Sequence, residues 1–227
     1  MQDPTPATFE AWNEEMSRKY NPENYHNSTN PLLRFIVHRR TMDILSPLRI
    51  KKTDRVLDVG CGAGNMLEHV DARRTGIDLS ETMIERARAK LGNGVELKKM
   101  SADTLDFPDN TFDKVMCSEV IEHVIDPSAV LKEIARVLKP GGIAAVSIPN
   151  ESLLQWTKSL LLACKLKVLM RNDGHTNVED VDNEWHLHHA SLSLFRSWEK
   201  GRLRTLRTIR SPSFFIPFHY VFLLTKD

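Results

Sequence analysis

Val56-Leu57-Asp58-Val59-Gly60-Cys61-Gly62-Ala63-Gly64 is the stretch that decides the fold. A short, mostly apolar run leads into glycines at alternate positions, which reads as a buried strand ending in a tight turn. Glycine lets the backbone of such a turn approach a ligand closely, because no Cβ intrudes. A helix beginning after the turn offers unpaired N–H groups to a carboxylate or phosphate.

The pattern repeats downstream. Arg55–Val59 is the first predicted strand, followed by a short helix over Asn65–Val70. A second strand, Arg74–Ile77, ends at Asp78, and a helix over Ser80–Leu91 follows with Ser80 as its cap. Val95–Met100 and Phe112–Cys117 read as strands three and four, and Pro127–Leu138 as a helix stopped by Lys139-Pro140-Gly141-Gly142. Ile143–Ile148 is the fifth strand. Strands alternating with helices predict a mostly parallel α/β sheet with crossover helices.

Both ends depart from this rhythm. Residues 5–20 predict a helix with Phe9, Trp12 and Met16 on one side, then a turn-rich stretch runs from Asn21 to Pro31. A second helix is predicted from Leu32 to about Leu45, carrying Arg34, His38, Arg39 and Arg40. After strand five, Leu153–Met170 is amphipathic: Leu153, Trp156, Leu160, Ala163 and Cys164 share a face, with Lys158 and Lys165 opposite. The acidic run Glu179-Asp180-Val181-Asp182-Asn183-Glu184 reads as a solvated loop. Ser191–Lys200 predicts a helix, and Arg204–Ile209 with His219–Leu224 an antiparallel terminal hairpin. The expected organisation is a helical cap over residues 1–50 and a main domain over 51–227, with a lid insertion at 151–190.

Composition excludes several classes. The 227 residues are 41% hydrophobic and 27% charged with a formal net charge of +1, so no global electrostatic case exists for nucleic acid. The three cysteines, Cys61, Cys117 and Cys164, are odd in number and widely spaced, as for reduced thiols in a cytoplasmic compartment. The N-terminus lacks the pattern of a signal peptide, and no apolar run reaches the ~18 residues of a spanning helix.

The glycine turn and its acids point to a particular kind of ligand. A dinucleotide fingerprint is GxGxxG, whereas here the spacing is GxGxG and Asn65 stands where the last glycine would fall. Asp58 puts a negative charge beside the turn, which suits a ligand carrying an ammonium and a sulfonium and repels a pyrophosphate. Asp78, at the end of strand two, is placed to take two ribose hydroxyls.

Five motifs in order resemble the class I S-adenosylmethionine-dependent methyltransferases, over roughly Asp54 to Asn150. Val56 to Gly64 resembles the family's first motif; the resemblance implies that Asp58, Gly60, Cys61, Gly62 and Gly64 face the methionine half of the cofactor. Gly76-Ile77-Asp78-Leu79-Ser80 resembles the second, which implies Asp78 on the ribose and Leu79 on the adenine, with Met83 nearby. Ser101-Ala102-Asp103 resembles the adenine-edge motif, implying Ala102 and Asp103 there. Phe112 to Glu119 resembles the fourth strand and its exit, bringing Ser118 and Glu119 to the cofactor, and Leu138-Lys139-Pro140-Gly141-Gly142 resembles the turn before strand five. The implied fold is a Rossmann-like seven-stranded, mostly parallel sheet with an antiparallel C-terminal hairpin.

The acceptor side is less definite. In Glu119-Val120-Ile121-Glu122-His123-Val124 the two glutamates are three apart, so one helical turn would put them on one face beside His123. Two carboxylates and an imidazole suit proton transfer or a divalent metal of the Mg2+ class. A plainer reading has Glu119 holding the cofactor end while His123 packs. The ubiquinone-biosynthesis O-methyltransferases and the small-RNA 2′-O-methyltransferases show a similar E-x-x-E-H, which implies Glu119, Glu122 and His123 as metal ligands. The latter group uses a further histidine downstream, and here His186, His188 and His189 follow in sequence. His123, with His186 and His188 next, is the candidate base. Asn30-Pro31-Leu32-Leu33-Arg34 resembles the Asn-Pro-Leu-Arg segment of the ubiquinone enzymes, with one extra leucine; Arg34 would then meet the cofactor carboxylate. In those enzymes a segment at the place of 153–170 touches membrane lipid, so peripheral membrane contact is a further expectation.

Together these readings predict an S-adenosylmethionine-dependent methyltransferase acting on a small-molecule acceptor at a hydroxyl oxygen. The alternatives are a metal-dependent RNA-terminal 2′-O-methyltransferase and a non-catalytic cofactor-binding protein. A nucleotide-dependent oxidoreductase is disfavoured by the GxGxG spacing and Asp58.

Overall fold

The structure is a computed structural model that describes residues 4–19, 29–163, 186–213 and 215–227. Its centre is a seven-stranded sheet in the order β3-β2-β1-β4-β5-β7-β6. The strands are β1 Arg55–Val59, β2 Arg73–Asp78, β3 Glu96–Lys99, β4 Phe112–Ser118, β5 Leu138–Pro149, β6 Arg204–Pro212 and β7 Pro217–Thr225. Strands β1 to β5 pair in parallel, and β7 runs antiparallel between β5 and β6. The expected sheet and its antiparallel hairpin are both present. The strand order reverses direction between β1 and β4, and ligands of open α/β sheets bind outside the carboxyl ends at such a point.

Alternation along β1 explains how helices cover both faces. Leu57 and Val59 join a core with Val115, Cys117, Val130 and Phe195, while Val56 joins the opposite core with Ile44, Leu67, Ile84 and Met116. The helices are α1 Phe9–Lys19, α2 Pro31–Leu48, α3 Glu81–Leu91, α4 Pro127–Val137, α5 Glu151–Ala163 and α6 Leu192–Glu199. Asn30, Ser80, Asp126 and Ser191 cap α2, α3, α4 and α6 with their side chains. Each accepts a first-turn N–H that has no intrahelical partner.

Several boundaries differ from expectation. The helix predicted over Asn65–Val70 is only a 3-10 turn at Leu67–His69. Strand β5 begins at Leu138, because Leu138 pairs with Phe112 before the register shifts, so that Lys114 pairs with Ile143. Helix α2 runs past Leu45 to Leu48, carried by the burial of Ile44 and Leu48 and ended by Arg49 at φ 47°. The turn-rich stretch 21–28, Cys164 to Met170 and the acidic run at 179–184 lie outside the described residues. No described helix is long and apolar enough to cross a membrane.

Candidate functional site

The glycine turn forms as predicted, with Gly60, Gly62 and Gly64 at φ 70°, 51° and 81°, a region that L side chains avoid. At Gly60 the glycine is required twice over. A Cβ there would lie 2.3 Å from Val120 Cγ2, so the turn packs directly on the loop that leaves β4. The Asp78 carboxylate ties the turn down: Gly62 N donates to Oδ2 and Ser80 N to Oδ1, each at 2.9 Å. Cys61 N also donates to the Ile77 carbonyl at 2.8 Å, which fixes the turn against the end of β2.

Asp58 lies beneath this turn with 1% of its surface exposed, and its Oδ2 has no hydrogen-bond partner among the described residues. Burial, and after it the charge of Asp78, pushes its carboxyl up to about 8. Burial likewise raises Asp78, opposed by the N–H groups it accepts. The buried Cys61 thiol is pushed up by burial and then by both aspartates, which leaves it unreactive and makes its backbone the useful part. Leu79 and Ala102 are partly buried and Met83 is buried in the first turn of α3. Asp103 is exposed after β3 and accepts from Ser101 Oγ at 2.7 Å and Thr104 Oγ1 at 3.2 Å. The structure thus gathers Asp58, the glycines, Asp78 and Leu79 at the carboxyl edge of β1 and β2.

At the exit of β4 the expectation of one helical turn fails. Glu119 sits at φ 55° and Val120 at φ −123°, so the backbone reverses hand before a 3-10 turn at Ile121–His123. Glu119 and Glu122 therefore do not share a helical face. Glu119 is clamped instead by Ser147: its N–H donates to Ser147 Oγ at 3.2 Å, and that hydroxyl donates to Oε1 at 2.8 Å. Its Oε2 meets Arg40 Nη1 at 3.4 Å and His219 Nε2 at 3.3 Å. Burial works to raise this carboxyl, but His219 and Arg40 outweigh it and hold it below the usual carboxylate range. Ser118 Oγ lies 3.2 Å from Ser147 Oγ in the same network.

Glu122 turns the other way. It is fully buried, and neither carboxylate oxygen has a partner among the described residues. Burial, then the Glu119 charge, pushes it well above the usual range. Its ligand atom lies within 4.8 Å of those of His123 and His186, and the two imidazoles meet edge to face with centroids 4.8 Å apart. The Glu122 carbonyl draws His186 in by accepting from Leu187 N at 2.8 Å and His188 N at 3.2 Å. Leu187 then packs on Trp12 and Met16 of α1, which closes this side of the site.

The other predicted residues are placed elsewhere. Glu119 is not a member of the cluster formed by Glu122, His123 and His186. His188 Nε2 lies 2.9 Å from the Val124 carbonyl and the ring packs on Trp198, which gives it a structural task instead of a base's. Arg34 lines a surface pocket with Phe35, His38, Thr41 and His69, while Arg40, further along the same helix, reaches Glu119. Sequence reading missed Arg40, His219, Ser147 and Glu151. Only Arg40 carried any signal, as one of several basic residues on a predicted helix.

Comparison with known proteins agrees with this geometry. Residues 57–146 match the family described as "Methyltransferase domain". The chain is 42% identical over 131 residues to the ubiquinone biosynthesis O-methyltransferase of Thiobacillus denitrificans, covering 55% of this chain and 53% of that protein. It is 37% identical over 116 residues to the enzyme of the same name from Idiomarina loihiensis, covering 48% of each. The chain thus spans about half the length of the curated relatives it matches. Among solved structures, a Thermotoga maritima S-adenosylmethionine-dependent methyltransferase, described as a possible histamine N-methyltransferase, superposes with a TM-score of 0.63 at 20% identity, covering 98% of this chain and 100% of that one. Residues 57–146 thus match a methyltransferase-domain family, and the chain shares its fold with the Thermotoga maritima protein.

Proposed function

We propose that this chain transfers a methyl group from S-adenosylmethionine to a hydroxyl oxygen of a small molecule. The observation that carries the reading is the buried, unpartnered Glu122 carboxylate set against His123 and His186, on the loop that packs on the Gly60 turn. The cofactor fits the residues present. An orphaned carboxylate at Asp58 is suited to the ammonium of an amino-acid end, and Asp78 to vicinal hydroxyls. When bound, the cofactor supplies an electrophilic methyl group. The protein's share is positioning, which converts an encounter into an aligned displacement. His123 is the candidate base for the acceptor hydroxyl, with His186 against it.

The same cluster suits a divalent cation. One carboxylate and two imidazoles form a mixed donor set that favours a transition-row ion such as Mn2+ over Mg2+, which prefers oxygen alone. Such an ion would favour ionisation of an acceptor hydroxyl. Glu122, His123 and His186 are the residues that would hold it.

Lipid contact is supported by a second feature. Trp156 and Leu160 are exposed on α5, and Phe215 and Ile216 on the turn before β7. Asn150, at the start of α5, bonds the Phe218 carbonyl at 2.7 Å, so both elements rise from the same edge of the sheet. Binding to phosphatidylglycerol vesicles that Trp156→Ala abolishes would support contact, and no binding of the intact protein to them would refute it.

The central reading is tested by calorimetry with S-adenosylhomocysteine. Binding that Asp78→Ala weakens is expected, and no binding to the intact protein would sink the proposal. Acceptor screening with Glu122→Ala then tests the role of the cluster.

A further inference from the structure

The first residue of α5, Glu151, is buried and takes no part in the cofactor region. Its Oε1 accepts from Ala190 N at 3.2 Å and lies 3.1 Å from His186 Nδ1, and its Oε2 meets the exposed His189. The same Oε1 that accepts from Ala190 N faces His186 Nδ1, so the ring's matching role is to donate from Nδ1. The lone pair of the neutral ring is then on Nε2. Across the ring contact stand His123 and the unpartnered carboxylate of Glu122.

We infer that Glu151 is a positioning residue, which fixes the tautomer and orientation of His186 so that Nε2 is presented to the Glu122–His123 pair as a third ligand for a divalent cation. The inference rests on the cluster reading given above and adds to it a residue from a different element. It has a physical basis in the general behaviour of metal-binding histidines, which donate their other ring N–H to a carboxylate or carbonyl and lose affinity when that partner is removed. It also explains why a buried glutamate stands at the start of α5, on the far side of the 164–185 segment from the histidine it holds. The Ala190 N–H is held by the same oxygen that holds His186.

Mn2+ binding by calorimetry, together with the 15N shifts of the His186 ring, tests this. Glu151→Ala should weaken Mn2+ binding by roughly 10–100-fold, and Glu151→Gln, which keeps an acceptor without charge, by less. In metal-free protein His186 should be in the Nδ1–H form, and should become a mixture of tautomers in Glu151→Ala. Loss of a purely structural bond would lower Tm while leaving Mn2+ affinity and tautomer alone. Unchanged affinity and tautomer in both variants would overturn the inference. Should Glu151→Ala fail to fold, Glu151→Gln carries the comparison. If the intact protein binds no Mn2+, the cation reading falls by itself, and the inference falls with it as to purpose; the ring shifts still decide whether Glu151 sets the tautomer.

Discussion

Asp58 and Asp78 stand on adjacent parallel strands, and burial, then the charge of Asp78, raises the Asp58 carboxyl beneath the glycine turn. With the Asp58 carboxyl raised to about 8, most of it is neutral at pH 7 in the ligand-free protein. A bound ammonium reverses that preference. Binding of S-adenosylhomocysteine at pH 7 is therefore expected to release close to one proton, and Asp58→Asn to abolish the release. Calorimetry in buffers of different ionisation enthalpy measures it; equal heats in all buffers would refute the assignment.

The same group sets a pH dependence of stability. Its folded pKa is raised, so its contribution is fully present below the ordinary carboxylate pKa and is lost as pH rises through about 8. Ligand-free protein should lose stability between about pH 4 and pH 8 from this group, and Asp58→Asn should flatten that part of the curve. Each unit of raised pKa weighs about 1.4 kcal/mol. Thermal melts across the range are the check.

Asp78→Ala removes the acceptor for Gly62 N and Ser80 N as well as the proposed ribose contact. Hydrogen bonds to charged groups are worth about 1.5–3 kcal/mol each. A loss of cofactor affinity of about 100-fold or more is expected by calorimetry, with a smaller fall in Tm.

Gly60→Ala sets a methyl group against Val120 and strains the backbone at φ 70°. The cost in stability is expected at about 1–3 kcal/mol. Adding Val120→Ala should recover the clash and leave the backbone strain, so the double variant should fall between Gly60→Ala and the parent in denaturant melts.

Arg40→Ala leaves the Glu119 carboxylate with His219 and Ser147 as its remaining partners. Breaking an ion pair of this burial is expected to cost about 2 kcal/mol, or roughly 4–8 °C in Tm for a chain of this size. Arg34→Ala, on the same helix, should leave Tm within about 1 °C. A larger effect from Arg34 than from Arg40 would reverse the two assignments.

What the sequence made legible was local. Arg55–Val59 forms the first strand with the predicted bounds, and Ser80 and Ser191 cap the predicted helices. A glycine turn and a serine cap are decided within a few residues, so their spacing suffices. The reversal at Glu119 was not legible, because spacing three apart assumes a continuous helix, and here packing of Val120 on Gly60 and the Ser147 clamp override it. Arg40, His219 and Glu151 were missed for a related reason. Each acquires its role from a partner far along the chain: His219 for Arg40, Glu119 for His219, and His186 for Glu151. No period or motif encodes such pairs.

Strand β7 lies inside the sheet, between β5 and the edge strand β6, although it is made after both. A ribosome extends the chain from its N-terminus, so β6 has no sheet neighbour to pair with until Pro217–Thr225 has emerged. Glu119 likewise waits for His219, which arrives on that strand. A nascent chain lacking these residues holds the glycine turn, the parallel strands and the Ser147 clamp, but not the His219 partner of Glu119. The Glu119–His219 contact is thereby tied to the arrival of β7.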